Sequence, residues 1–528
     1  FKLLIPETRK NLHEVFGTVL MRELGFIAPE TFQVKAKINN VDSLMLFQED
    51  AQKEMLERNS RREGPLFEGD ESLLWSYMNY KTMALENLAL ARMTNRKWFL
   101  KGQSSQHIAL NSYNRLQKAY LNYSQNIDSN ELVIAPNERK NSIFEEYFIT
   151  LLAMNGSHGL RPHNRKFYYN SFINQFEPIY YDGHLMLGKL DQYQEKLLKT
   201  AFTEKFKNDY KNTLIDFKRT KKTLNNFMDR VLISEKESKK FFENQFENTK
   251  KNITALMTTI KSLKNSKSNF YFSENLIQDY IKNQIKHNVD QILISSMQRT
   301  ADSYVGLTTN NDKLKLTQNE VSKIISDNVM KETRTVYLSN EYIGNSGQIK
   351  NNKSLEKVLK GKIISSKGLE IILDKIDRKI ILKQSSVSDW VLIKDVDLSN
   401  WTVEFLGVKD LNLNFDQNIQ RFNSYGMTGC LNLYAVVFDK TSIKVNGGGC
   451  EDSVNIIKSY GNLREIEVNN AHADAVDVDF SKINVDFISV NFAGNDCIDV
   501  SGGIYILKEV KVINCGDKGL SVGEDSRL

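Results

Sequence analysis

Apolar positions change their spacing along this chain, and the changes divide it. After Gly426 they fall in short alternating runs that repeat. Asp452-Ser453-Val454-Asn455-Ile456 aligns with Asp474-Ala475-Val476-Asp477-Val478, with Asp496-Cys497-Ile498-Asp499-Val500 and with Asp517-Lys518-Gly519-Leu520-Ser521. The leading aspartates are 22, 22 and 21 residues apart. A second column, Ile466, Ile488 and Val510, keeps the same phase, with Val468, Val490 and Val512 beside it. Each repeat therefore carries at least two short period-two strands, and stacked repeats would bury one continuous core. This predicts an all-β parallel β-helix over 401–528. Its right hand is expected from the usual crossover rule.

Upstream the spacing is helical. Phe242, Phe246, Thr249, Ile253, Leu256, Ile260 and Leu263 alternate steps of four and three, a heptad seam. Ser234 and Glu237 form a capping-box pattern before it. Residues 189–305 contain neither glycine nor proline, so 185–300 is expected to be a helical segment, with a further helix from Ser273. Residues 301–400 read as mixed β structure or irregular first coils, with strands near Ile371–Leu373, Ile380–Leu382, Trp390–Ile393 and Trp401–Phe405.

Residues 1–184 mix both periods, as an α+β domain would. Phe1–Ile5 reads as a strand, and Asn11–Leu24 as a helix closed by Gly25. Phe32–Ile38 and Ser43–Phe47 read as a hairpin turning at Asn39-Asn40. Further helices are expected over Ser72–Arg92 and Ile143–Met154.

Composition adds little except in charge. The net charge is +6, yet Lys189–Arg299 holds 22 basic and 13 acidic residues. A Lys-rich solvated helix surface accounts for that, and no specific nucleic-acid partner is expected. No apolar run is long enough to span a bilayer. The chain starts at Phe1 and stops inside a repeat, which suggests a fragment. Oligomeric state is not readable. All four cysteines, Cys430, Cys450, Cys497 and Cys515, lie in the repeat region. Cys450 and Cys515 share a phase three coils apart, roughly 14 Å at the usual strand spacing. They should not bond to each other, and buried free thiols are expected.

The aspartate column has two readings. Carboxylates on adjacent coils can bind Ca²⁺ or serve as an acid/base pair, with Asp474, Asp477, Asp496 and Asp499 as candidates. Alternatively each Asp caps a strand entrance by accepting nearby backbone N–H groups. Recurrence in every coil favours the second.

The front of the chain carries an ordered series of short elements. Phe1-Lys2-Leu3-Leu4-Ile5-Pro6-Glu7-Thr8-Arg9 is followed by Met21-Arg22-Glu23-Leu24-Gly25 with Pro29. Next come Phe47-Gln48-Glu49, then Glu54 through Gly64-Pro65-Leu66-Phe67. The series ends with His163-Asn164-Arg165-Lys166-Phe167-Tyr168 and Pro178-Ile179-Tyr180-Tyr181-Asp182. Together these resemble the CotH (spore-coat protein H) kinase-like family over about residues 1–184. The resemblance implies an atypical kinase that uses ATP and Mg²⁺ to phosphorylate secreted or coat proteins. It implies Asp182 and Asn164 as metal ligands. Arg161, Arg165 and Lys166 would contact phosphates, and Glu49 and Glu54 would orient a lysine or a nucleotide edge. The family's second aspartate is absent, since Gly183 and His184 follow Asp182. The expectation is thus a CotH-like kinase or pseudokinase fused to a surface-exposed β-helix, outside a bacterial cell, with a protein substrate. Two alternatives stand beside it: a cell-surface or envelope β-helix that binds polysaccharide behind an inactive front domain, and a β-helix carbohydrate-active enzyme.

Overall fold

The computed structural model describes residues 1–70, 89–125, 136, 142–201, 220–263, 292–300, 303–308, 313–326, 334–337, 349–351, 361–366, 368–387, 389–408, 422–423 and 426–528. They form two compact units. One comprises 1–59, 63–100 and 109–343; the other comprises 60–62, 101–108 and 344–528.

The first unit is α+β. Lys2–Leu4, Thr31–Ile38 and Val41–Gln48 make an antiparallel sheet, with Val41–Gln48 central. Its hairpin turns at Asn39 and Asn40, both at positive φ, a conformation asparagine tolerates. Helix Leu12–Glu23 buries Val15, Phe16, Val19 and Leu20 and ends at Gly25, whose φ of 90° suits glycine. A second antiparallel sheet runs Leu90–Met93, Leu66–Asp70, Lys166–Asn170, Gln175–Ile179. Leu90–Met93 is thus a strand where a helix over Ser72–Arg92 was expected; 71–88 lie outside the described residues. Helix Ser142–Ala153 falls where the sequence placed it.

The basic segment is only partly helical. Gln192–Ala201, Thr220–Met228 and Glu235–Leu263 are helices, but Ile292–Arg299 is a strand paired with Tyr304–Thr308 and Arg334–Tyr337. The helix expected from Ser273 lies outside the described residues. The capping box forms, with Ser234 and Glu237 bonding reciprocally. The heptad seam is buried at Phe242, Thr249, Ile253, Leu256 and Ile260. It faces several short helices rather than one long partner. Asn252 fixes the register by donating to the carbonyls of Ala153 and Gly188.

The second unit is a β-solenoid of about six turns. Two parallel stacks run through it. One passes through Val391–Lys394, Gly429–Tyr434, Asp452–Ile457, Asp474–Asp479, Ile498–Ser501 and Ser521–Val522. The other passes through Lys379–Lys383, Thr402–Leu406, Val437–Asn446, Tyr460–Ala471, Lys482–Ala493 and Ile504–Cys515. Residues 379–406 are therefore early coils, not a separate module. The columns Ile466–Ile488–Val510 and Val468–Val490–Val512 stack as the repeat requires. One corner of five successive coils is turned by a residue at positive φ: Asp395, Ala435, Lys458, Phe480 and Gly502. At another corner, a Cβ on Gly494 would lie 2.0 Å from the His472 carbonyl oxygen of the coil before, so only glycine lets the coils approach.

The cysteines are bonded, contrary to the free thiols expected. Cys430 joins Cys450 and Cys497 joins Cys515, each with Cα atoms 5.4 Å apart. Cys450 and Cys515 are indeed not joined to each other. Each bridge closes a coil on itself at a corner. Cys430 and Cys497 share a column with Ser453 and Ala475, and Cys515 shares one with Ala471 and Ala493. Small residues thus fill the same corner in the coils between the bridges.

Candidate functional site

In the first unit, strand Lys166–Asn170 lies between Leu66–Asp70 and Gln175–Ile179. Glu68 is in register with both Lys166 and Arg92, so alternation puts all three side chains on one face. Glu68 takes ion pairs from Lys166 and Arg92. Burial pushes the Glu68 carboxyl up, but these two cations hold it below the ordinary range. After Ile179 the chain leaves the sheet as Tyr180-Tyr181-Asp182. Tyr180 N–H donates to the Ile27 carbonyl at 2.7 Å, and its buried hydroxyl donates to Glu14 at 2.8 Å. The chain then turns sharply. Asp182 and His184 both have φ of 45°, and the Gly183 between them packs against Tyr180 and Leu185 with no room for a Cβ.

This anchoring delivers Tyr181 and Asp182 to a cluster of cations. The Lys166 ammonium lies 4.4 Å from the Tyr181 ring centroid, the Lys2 ammonium 5.2 Å and the Arg9 guanidinium carbon 5.8 Å. Arg9 makes an ion pair with Asp182, both side chains less than a fifth exposed. His158 Nε2 stands 3.6 Å from the other Asp182 oxygen. Burial, and after it the electrostatic influence of Arg161 and the neighbouring His184, His163 and Arg9, pushes His158 down to about 4, so it is neutral at pH 7.

The expected site residues divide. Asp182 and Lys166 meet at Tyr181. Asn164 reaches the same place through His158, donating to its carbonyl at 3.0 Å. Arg161 is exposed and contributes its charge at His158. Arg165 does not join them: it is buried, its Nε donates to the Leu160 carbonyl, and its guanidinium lies 5.7 Å from the Tyr147 ring centroid. Glu49 accepts from the Glu30 N–H and pairs with Arg58, and Glu54 is exposed on helix Lys53–Arg58. Arg9, Lys2 and Glu68 were not singled out from the sequence. Arg9 did stand in the first of the resembling elements, which was its only signal.

The implied Mg²⁺ does not fit this arrangement. One Asp182 oxygen is taken by Arg9 and the other faces His158. Among the described residues no three His, Cys, Asp or Glu side chains are grouped to hold a metal ion.

Two aspartates of the solenoid column, Asp474 and Asp496, serve the backbone. Asp474 accepts from the Asp496 N–H and from Asn495, and Asp496 accepts from the Lys518 N–H, each bond to backbone reaching 22 residues ahead. At these two positions the carboxylate caps backbone as expected, but the N–H groups belong to the next coil rather than to a local turn. Because Asp499 pairs with Ser521, Lys518 rather than Asp517 stands beside Asp496. On the outward face, Asn455, Asp477 and Asp499 are in register. Arg62, part of the same unit, donates to Thr428, Asn455 and Asp477 and pairs with Asp479 at 3.0 Å. Burial, then Asp477, pushes Asp452 well up and Asp499 to about 6.

No protein-family model matches the chain, and no curated protein matches it in sequence.

Proposed function

We propose that the first unit is a CotH-like domain of the pseudokinase kind that binds nucleotide phosphates, joined to a right-handed β-helix displayed at a bacterial surface. The observation that carries this reading is the gathering of Lys2, Arg9 and Lys166 around Tyr181, beside Asp182 at the end of a sheet. Phosphoryl groups are recognised mainly by positioned cations, and an aromatic ring that holds several cations in place offers them a fixed platform. Binding without turnover follows from the carboxylates: Asp182 is committed to Arg9 and Glu68 to Lys166 and Arg92, which leaves neither free to take a hydroxyl proton. The two disulfides favour an oxidising compartment outside the cytosol.

The test is ATP binding by the full chain, compared with Lys166→Met. The variant should lose at least about tenfold in affinity, the usual weight of a charged hydrogen bond. Lys508→Met in the solenoid should not. Equal affinity in all three proteins would refute this placement of the site.

A further inference from the structure

We infer that this site takes phosphate without a divalent metal, with Arg9 standing on Asp182 where a metal ion would sit. The inference rests on the phosphate-binding reading above and deepens it.

A metal at a phosphoryl site bridges a protein carboxylate to phosphate oxygens. Arg9 already makes the first half of that bridge through its ion pair with Asp182. A guanidinium carries five N–H donors in a rigid fork. A carboxylate engages two of them at most, so the remaining edge can serve a phosphate oxygen. Its position is fixed from both sides, by Asp182 and by the Tyr181 ring. Lys2 and Lys166 stand over the same ring and would supply further point charges. A divalent ion has no comparable seat. Arg9 holds one Asp182 oxygen, and the other faces His158 Nε2 at 3.6 Å.

The experiment separates the alternatives by the sign of one substitution. ATP binding to the full chain is measured calorimetrically with excess EDTA and with excess Mg²⁺, for the parent, Asp182→Asn, Arg9→Lys and Arg9→Met. If Arg9 replaces the metal, the parent binds ATP in EDTA within about twofold of its affinity in Mg²⁺. Asp182→Asn then binds as tightly or more tightly, because the guanidinium is released from its carboxylate. Arg9→Met loses about tenfold or more, and Arg9→Lys loses less. Thermal unfolding of each variant identifies any that fails to fold, and Asp182→Asn keeps the test decisive if Arg9→Met does. Binding by the parent only in Mg²⁺, abolished by Asp182→Asn, would overturn the inference while leaving the phosphate-binding reading intact. Absence of ATP binding in both media would overturn both.

Discussion

Arg62 Nη2 lies 2.8 Å from Asp477 Oδ2, and its Nε reaches Asp479 in the same strand. One guanidinium thereby compensates two carboxylates that are each about nine-tenths buried. The pair matters because the solenoid stacks its acids in register, and a buried carboxylate without a partner is costly.

Arg62→Met should destabilise the solenoid unit by roughly 3 kcal/mol or more, the usual cost of removing one partner of a buried ion pair. Adding Asp477→Asn and Asp479→Asn to that variant should restore part of the loss, since fewer charges are then left unpaired. Chemical denaturation followed by a signal from the solenoid would measure both. Equal stability of Arg62→Met and the parent would show that the carboxylates are compensated elsewhere.

The same stacking sets a pH dependence. Asp499 is pushed up to about 6, by burial and then by Asp477, so between about pH 4 and 6 the folded chain binds a proton that the unfolded chain does not. Stability from this group therefore falls as pH rises through that window. Asp452 and Asp474 are raised in the same sense. Asp499→Asn should raise the melting temperature at pH 8 relative to the parent and have a smaller effect at pH 4. A larger gain at pH 4 would contradict the sign.

The bridge between Cys497 and Cys515 closes a loop with a sequence separation of 18. A loop of that size contributes about 3 kcal/mol on the chain-entropy account. The double variant Cys497→Ala with Cys515→Ala should lose most of that, less what the small side chains recover, because Ala475 with Ala493 fills the equivalent corner one coil earlier. Peptide mapping of the non-reduced chain should find Cys430 with Cys450 and Cys497 with Cys515. A Cys450–Cys515 peptide would refute the stacking.

Much of the solenoid was legible because its repeat is set by side chains that alternate and stack, and those leave a period in the sequence. Its corners were not. Asp395, Ala435, Lys458 and Phe480 adopt positive φ, and only Gly502 in that column announces it. The disulfides were missed for a related reason: comparison within a column pairs Cys450 with Cys515, whereas the bonds cross a corner within one coil. In the first unit, hairpin and helix signals are local and were readable at Asn39-Asn40 and Gly25. The cation cluster is not local. Lys2, Arg9, Lys166 and Asp182 converge through two sheets and a chain exit, and the spacing of residues along the chain carries no trace of that. The strand Ile292–Arg299 defeated the helical expectation because lack of glycine and proline permits a strand as readily as a helix.

On the proposed reading, the Tyr181–Asp182 cluster recognises phosphate groups. Titration of the full chain with ATP, adenosine and inorganic tripolyphosphate tests it most directly. ATP and tripolyphosphate should compete for one site, adenosine should bind at least tenfold more weakly than ATP, and Lys166→Met should weaken both phosphate ligands together. Adenosine binding as tightly as ATP, or tripolyphosphate failing to displace ATP, would contradict the account.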